Sequence, residues 1–143
     1  RAMVKPMSVV DVGTGSGILA IAASKLGATD VLATDISDES MTAAKQNSAL
    51  NDLTNIRVQK TSLLADVKGK FDIIVANILA EILLDLIPQM DAHLNDGGQI
   101  IFSGIDYLQL PKIEKALDEN GFKIDLTMRQ GRWFGLAITR KEK

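Results

Sequence analysis

Asp11-Val12-Gly13-Thr14-Gly15-Ser16-Gly17 is the stretch that decides the reading of this chain. It follows a short apolar run, Ser8 to Val12, that reads as a buried strand, and precedes an Ala-rich segment, Ser16 to Leu26, that reads as a helix stopped by Gly27. Glycines between a strand and a helix permit a tight turn and close approach of the backbone to a ligand. The helix start behind them offers free N–H groups and the positive end of a dipole. The spacing is G-x-G-x-G, with Ile18 after Gly17, so the third glycine of a dinucleotide fingerprint is lacking, as is the lysine of a P-loop. Asp11 points the same way. A carboxylate is awkward beside a phosphate but suits a ligand that presents an ammonium. It can equally accept backbone N–H bonds from the glycine turn.

The rest of the chain alternates strand-like and helical stretches, which predicts an α/β domain with a mostly parallel sheet and helices on both faces. Asp30 to Thr34 reads as a second strand ending at Asp35, and Ser37 or Asp38 can cap a helix running to about Leu50. Asn55 to Gln59 is a half-exposed third strand. The apolar run Phe71 to Ala76 fits a central parallel strand buried on both faces. Helical spacing covers Ala80 to about His93, with Pro88 a kink or break. Asn95-Asp96-Gly97-Gly98 reads as a turn and Gln99 to Ser103 as a fifth strand. Leu110 to Asn120 is a helix with Pro111 near its first turn and Gly121 at its C-cap. Phe122 to Met128 and Trp133 to Thr139 follow, joined by Arg129-Gln130-Gly131-Arg132, a connection short enough to force an antiparallel hairpin.

Composition sets the outer limits. The chain has 143 residues, 46% hydrophobic and 24% charged, which suits one globular domain. A net charge of -2 gives no global basic field, so direct nucleic-acid binding is not expected. With no cysteine there is no disulfide, thiolate metal site or cysteine nucleophile. No metal constellation can be assembled around the single histidine, His93, which reads as a surface residue or a dipole partner late in its helix. No apolar run reaches the length of a membrane span, and a cytoplasmic location is expected.

Asp35 lies 18 residues beyond Gly17. A strand-end carboxylate there can accept two hydrogen bonds from vicinal ribose hydroxyls, or can simply serve the following helix N-terminus. With the glycine loop in front of it, the ribose reading is preferred. Together these residues describe a site for an adenosyl ligand with a positive, amino-acid-like end, which fits S-adenosylmethionine. Asn77 follows the Phe71 to Ala76 strand, where ligands collect in open α/β sheets. Its amide can hold an amine nucleophile with the lone pair aimed at a methyl group. Asn is also a favoured helix N-cap.

The D-x-G-x-G-x-G stretch with a strand-end acid resembles the first two motifs of the class I methyltransferases. That resemblance spans essentially the whole chain and implies a seven-stranded sheet whose last hairpin contains the one antiparallel strand. Asn77-Ile78-Leu79-Ala80 departs from the Asn-Pro-Pro-aromatic tetrad of many amino-methylating members. It is similar instead to the bacterial ribosomal protein L-eleven methyltransferase family, as are the stretch Asp11 to Ala23, Lys25 to Ala28, Val75 to Ala80 and Ser103-Gly104-Ile105. The resemblance implies that Gly13, Asp35 and Asn77 contact the cofactor; Asp11, Thr14, Gly15, Gly17 and Ile36 are expected to join them, with Asn77 also catalytic. It implies methylation of lysine side chains and the N-terminus of a large-subunit ribosomal protein.

Two departures qualify the match. The family carries an N-terminal substrate-recognition domain and a Thr-containing segment that helps close the cofactor site, and neither is in residues 1–143. The chain is therefore expected to be the catalytic domain of a longer protein. Many class I enzymes also place an acid after the third strand to meet the adenine amine, where this chain has Thr61 and Ser62. Two further readings remain open: a methyltransferase of a nucleic acid or small molecule, and a cofactor-binding module inactive without its missing domain. Trp133 and Phe134 read as core or edge packing, Arg129 and Arg132 as solvated, and Ile82, Leu83, Leu86 and Ile87 as core stripe.

Overall fold

The computed structural model describes residues 7–142. Its first strand, β1 (Ser8–Val12), is almost wholly buried, as a central strand with helices over both faces must be. β2 (Asp30–Asp35) and β4 (Phe71–Ala76) flank it in parallel, pairing Val12 with Thr34 on one side and with Ala76 on the other. Outside β2 lies β3 (Ile56–Lys60), half-buried as expected of an edge strand. Outside β4 come β5 (Leu94–Asp106), β7 (Trp133–Arg140) and β6 (Phe122–Gln130), giving the order β3-β2-β1-β4-β5-β7-β6. β7 pairs antiparallel with both neighbours. The expected mostly parallel sheet closed by an antiparallel hairpin is what forms.

Right-handed crossovers place the helices. From β1 the chain steps one way through α1 (Ile18–Lys25) to β2 and through α2 (Asp38–Leu50) to β3, so α1 and α2 pack together on one face. From β4 it steps the other way through α3 (Ala80–Met90) to β5, and α3 packs with α4 (Leu110–Glu119) on the opposite face. The strand order therefore reverses between β1 and β4, and a crevice opens at their carboxyl ends. The larger core joins Val10, Val12, Leu32, Ile74, Ile100 and Phe102 to Leu83, Leu86, Ile87, Ile113 and Leu117. A smaller one joins Val9, Val31 and Ala33 to Ala20 of α1.

Several boundaries differ from the sequence reading. The first helix begins at Ile18, not Ser16, because Gly17 sits at its N-cap in the left-handed region with φ 87°. The segment Ala80–His93 is not one helix. α3 runs through Pro88 to Met90, and a 3₁₀ turn covers Asp91–His93. Pro88 removes the N–H that would bond the Leu84 carbonyl, yet the helix continues two residues beyond it. Asn95-Asp96-Gly97-Gly98 is not a turn between elements but an irregularity inside β5. Phe71 pairs with Leu94 and Ile73 with Gln99, so β5 carries three extra residues there. Gly98 is buried in it, and a Cβ would lie 2.8 Å from Leu94 Cγ and 2.9 Å from the Asn95 carbonyl. The hairpin loop is the pair Gly131-Arg132, not four residues, since Gln130 pairs with Trp133. Gly131 at φ 61° supplies the positive φ that a two-residue hairpin requires.

Candidate functional site

Val12 and Ala76 are sheet partners, so the next residues, Gly13 and Asn77, emerge side by side at the crevice. The glycine loop is built from three different constraints. A Cβ on Gly13 would come within 2.5 Å of Ile78 Cγ2, so this glycine lets the chain after β4 close against the loop. A Cβ on Gly17 would lie 3.2 Å from both Cα and Cβ of Ala44, so Gly17 lets α1 and α2 touch. Gly15 faces open space at φ 57°. Gly17 thus serves the packing of α1 on α2. We expect Gly17→Ala to lower stability by about 1–3 kcal/mol, from left-handed strain plus contact with fixed backbone, with little change in ligand affinity. Thermal melting and titration calorimetry on the same variant check this.

Asp11 is 1% exposed and its side chain lies on the loop's inner side. One carboxylate oxygen accepts from the Thr14 hydroxyl at 2.8 Å, and the other, Oδ1, has no partner. Burial pushes its pKa up to about 6 against the pull of the Thr14 hydroxyl, and nearby Asp35 adds to the rise. The Ala20 amide, in the first turn of α1, also favours the charged form, although it makes no hydrogen bond of good geometry. The expected backbone bonds from the glycine turn go elsewhere. The Gly15 N–H donates to Asp35 Oδ2 at 2.9 Å, and the Ser37 N–H donates to Asp35 Oδ1 at 3.1 Å. Ser37, not Asp35, caps α2, accepting from the Ser40 N–H at 3.2 Å. A carboxylate has about four lone-pair positions, so Asp35 retains capacity for two further donors.

A cavity of about 380 Å³ opens beside Asp35, lined by Gly13, Ile36, Thr61, Ser62, Leu63, Ile78, Ile82 and Asp85 among others. Ile36 is 68% exposed, an unusual state for an isoleucine beside a cavity. Thr61 is buried and its hydroxyl accepts from the Asp66 N–H at 3.2 Å, while Ser62 is exposed. Leu63 adopts φ 54°, left-handed without being glycine, which costs about 1 kcal/mol and brings the loop after β3 over the cavity. The sequence reading missed Ile82 and Asp85. Leu83, Leu86 and Ile87 are core as expected, but Ile82 is 39% exposed and lines the cavity. Its i, i+3 spacing to Asp85 was the available signal.

Asn77 is exposed at the end of β4. It does not cap α3, whose N-cap is Leu79 with no side-chain bond. Its side chain lies over Gly104, where a Cβ would overlap Asn77 Oδ1. Gly104, at φ 74°, therefore gives room to Asn77 itself. Beyond it a shallow hollow of about 460 Å³ is lined by Ser103, Gly104, Met128, Trp133 and Phe134. Trp133 is half exposed rather than core. Arg132 is not simply solvated: it bonds Asp106 at 2.7 Å and stacks over Tyr107 and Trp133. His93 donates from Nδ1–H to the Gly69 carbonyl at 2.9 Å. Among the described residues no group of three metal-ligating side chains is assembled, and no helix is long and apolar enough to cross a membrane.

A seven-stranded sheet in this order, with one antiparallel strand and a glycine loop beside a strand-end Asn at the reversal, is the class I methyltransferase fold. A methyltransferase from Pyrococcus furiosus shares it at TM-score 0.83 and 23% identity over 95% of this chain and 75% of that one, a likeness of fold alone. The model of the family "Ribosomal protein L11 methyltransferase" matches residues 2–141. This chain belongs to that family. The relative from Lactobacillus acidophilus is 91% identical over the whole chain, which covers 46% of the relative. A crystal structure of ribosomal protein L11 methylase from Lactobacillus delbrueckii subsp. bulgaricus superposes at TM-score 0.95 with 78% identity, over 99% of this chain and 74% of that one. The chain thus spans about half the length of the curated relatives it matches.

Proposed function

We propose that this chain is the catalytic part of a longer protein that uses S-adenosylmethionine to methylate amino groups, on lysines and at the N-terminus, of a ribosomal protein in the cytoplasm. The observation that carries the reading is the meeting of the glycine loop, Asp35 and Asn77 at one crevice. The orphaned, buried Oδ1 of Asp11 lies behind the loop, and a ligand ammonium held there directly or through water would satisfy it. Asp11, Gly13, Thr14 and Gly15 would receive the amino-acid end, Asp35 the ribose diol and Ile36 one face of the base. Gly17 would act on the site only through the packing of α1 on α2.

The cofactor supplies an activated methyl group on a sulfonium, so the protein's task is proximity and orientation. A lysine amine has an ordinary pKa near 10.4 and must be neutral to attack. Asn77 cannot take that proton. Its side-chain oxygen, together with a neighbouring backbone carbonyl, would accept from the neutral amine and turn the lone pair toward the methyl group, while water takes the proton. The hollow beside Gly104 and Trp133 leaves the amine a path of approach. The rest of the longer protein would deliver the ribosomal substrate.

In the full-length protein, Asn77→Ala is expected to lower turnover at saturating cofactor by about a hundredfold, the usual scale for a group that orients reacting atoms. Gly104→Ala should do the same by displacing the Asn77 side chain. Methyl transfer from labelled cofactor to ribosomal protein measures both; wild-type turnover in Asn77→Ala would refute its role.

A further inference from the structure

Resting on the cofactor reading above, we propose that Asp85 of α3 reads the exocyclic amine of the adenine and sets preference for an adenosyl over an inosyl ligand. The cavity beside β2 has two carboxylates along its lining, Asp35 and Asp85. Asp35 already accepts two backbone N–H bonds at the sugar end. Asp85 enters no ion pair among the described residues. Ile36, Leu63, Ile78 and Ile82 line the cavity with aliphatic surface suited to the faces of a flat ring. A base held there with its ribose on Asp35 needs an acceptor for its amine at the other end.

The loop after β3 supplies that acceptor poorly. The Thr61 hydroxyl is buried and engaged with the Asp66 N–H, and Ser62 offers only a neutral, exposed hydroxyl. α3 supplies it by helical geometry. Ile82 and Asp85 are three apart and share the cavity face, while Leu83, Leu86 and Ile87 turn into the core. A charged acceptor binds an N–H donor more strongly than a neutral one. It also repels a keto oxygen in the amine's place, because both partners are then acceptors.

The test is titration calorimetry of the full-length protein with S-adenosylhomocysteine and S-inosylhomocysteine, in which a keto oxygen replaces the amine and the adjacent N1 becomes a donor. Wild type should favour the adenosyl form by about thirtyfold, the scale of one charged hydrogen bond. Asp85→Ala should cut the ratio to about threefold or less. Asp85→Asn, whose amide can donate to the keto oxygen, should shift it further toward the inosyl form. Asp85 is exposed on α3, so both variants should fold. An unchanged ratio in both variants would overturn the assignment, as would a collapse in Ser62→Ala but not in Asp85→Ala. If wild type bound neither ligand, the cofactor reading itself would fail, a result distinct from binding without discrimination.

Discussion

Asp35→Ala in the full-length protein should lose at least about a hundredfold in affinity for S-adenosylhomocysteine. Two hydroxyl bonds to a carboxylate contribute about 1.5–3 kcal/mol each, and their removal alone gives that factor. The variant also loses the acceptor for the Gly15 N–H and the Ser37 N–H. The glycine loop and the start of α2 would then be held less firmly, adding to the loss. Asp35→Asn retains an acceptor oxygen and should fall between the two. Calorimetry with Asp35→Ala at wild-type affinity would refute the ribose assignment.

Asp11→Asn should move stability and binding in opposite directions. The folded-state pKa of Asp11 is about 6 against an ordinary value of 3.8, because the carboxylate is buried. Between about pH 4 and pH 6 the folded protein keeps a proton that the unfolded chain has released. Stability therefore falls as pH rises through this window, and above it the ionised carboxylate costs about 3 kcal/mol. The Asn variant lacks that charge. Its ligand-free form should match wild type near pH 4 and exceed it by up to about 3 kcal/mol at pH 7, as chemical denaturation at the two pH values would show. The same substitution removes the negative partner for a ligand ammonium, so affinity at pH 7 should drop by tenfold or more. In wild type, affinity should decline as pH falls below about 6. A variant stabilised equally at both pH values would refute the burial account. One that bound ligand as wild type does would refute the ammonium role.

What the sequence disclosed follows from which forces are local. Strands buried on both faces, such as Phe71–Ala76, are visible as apolar runs, and Gly13, Gly15 and Gly17 announce a turn that ordinary residues could not make. Asp35 and Asn77 stood out because each closes a strand, and strand ends are where an open sheet gathers its ligands. What was hidden depends on contacts between distant segments. Nothing local says that the Gly15 N–H goes to Asp35 rather than Asp11, or that Gly104 makes space for Asn77. Asn95–Gly98 carries every mark of a turn, and only pairing across to β4 keeps it within a strand. Asp85 was passed over because a polar residue on a helix is ordinarily solvated surface, and its cavity is formed by four separate loops and a helix.

The bond from the Gly15 N–H to Asp35 joins the end of β2 to the loop after β1 through protein groups alone. Two walls of the crevice are therefore fixed in mutual position when the domain folds. The loss of chain freedom that a mobile loop would suffer on capture is incurred earlier, and contact energy passes more fully into affinity. Preorganisation of this kind lets α1, α2 and the sheet dictate the shape of the crevice.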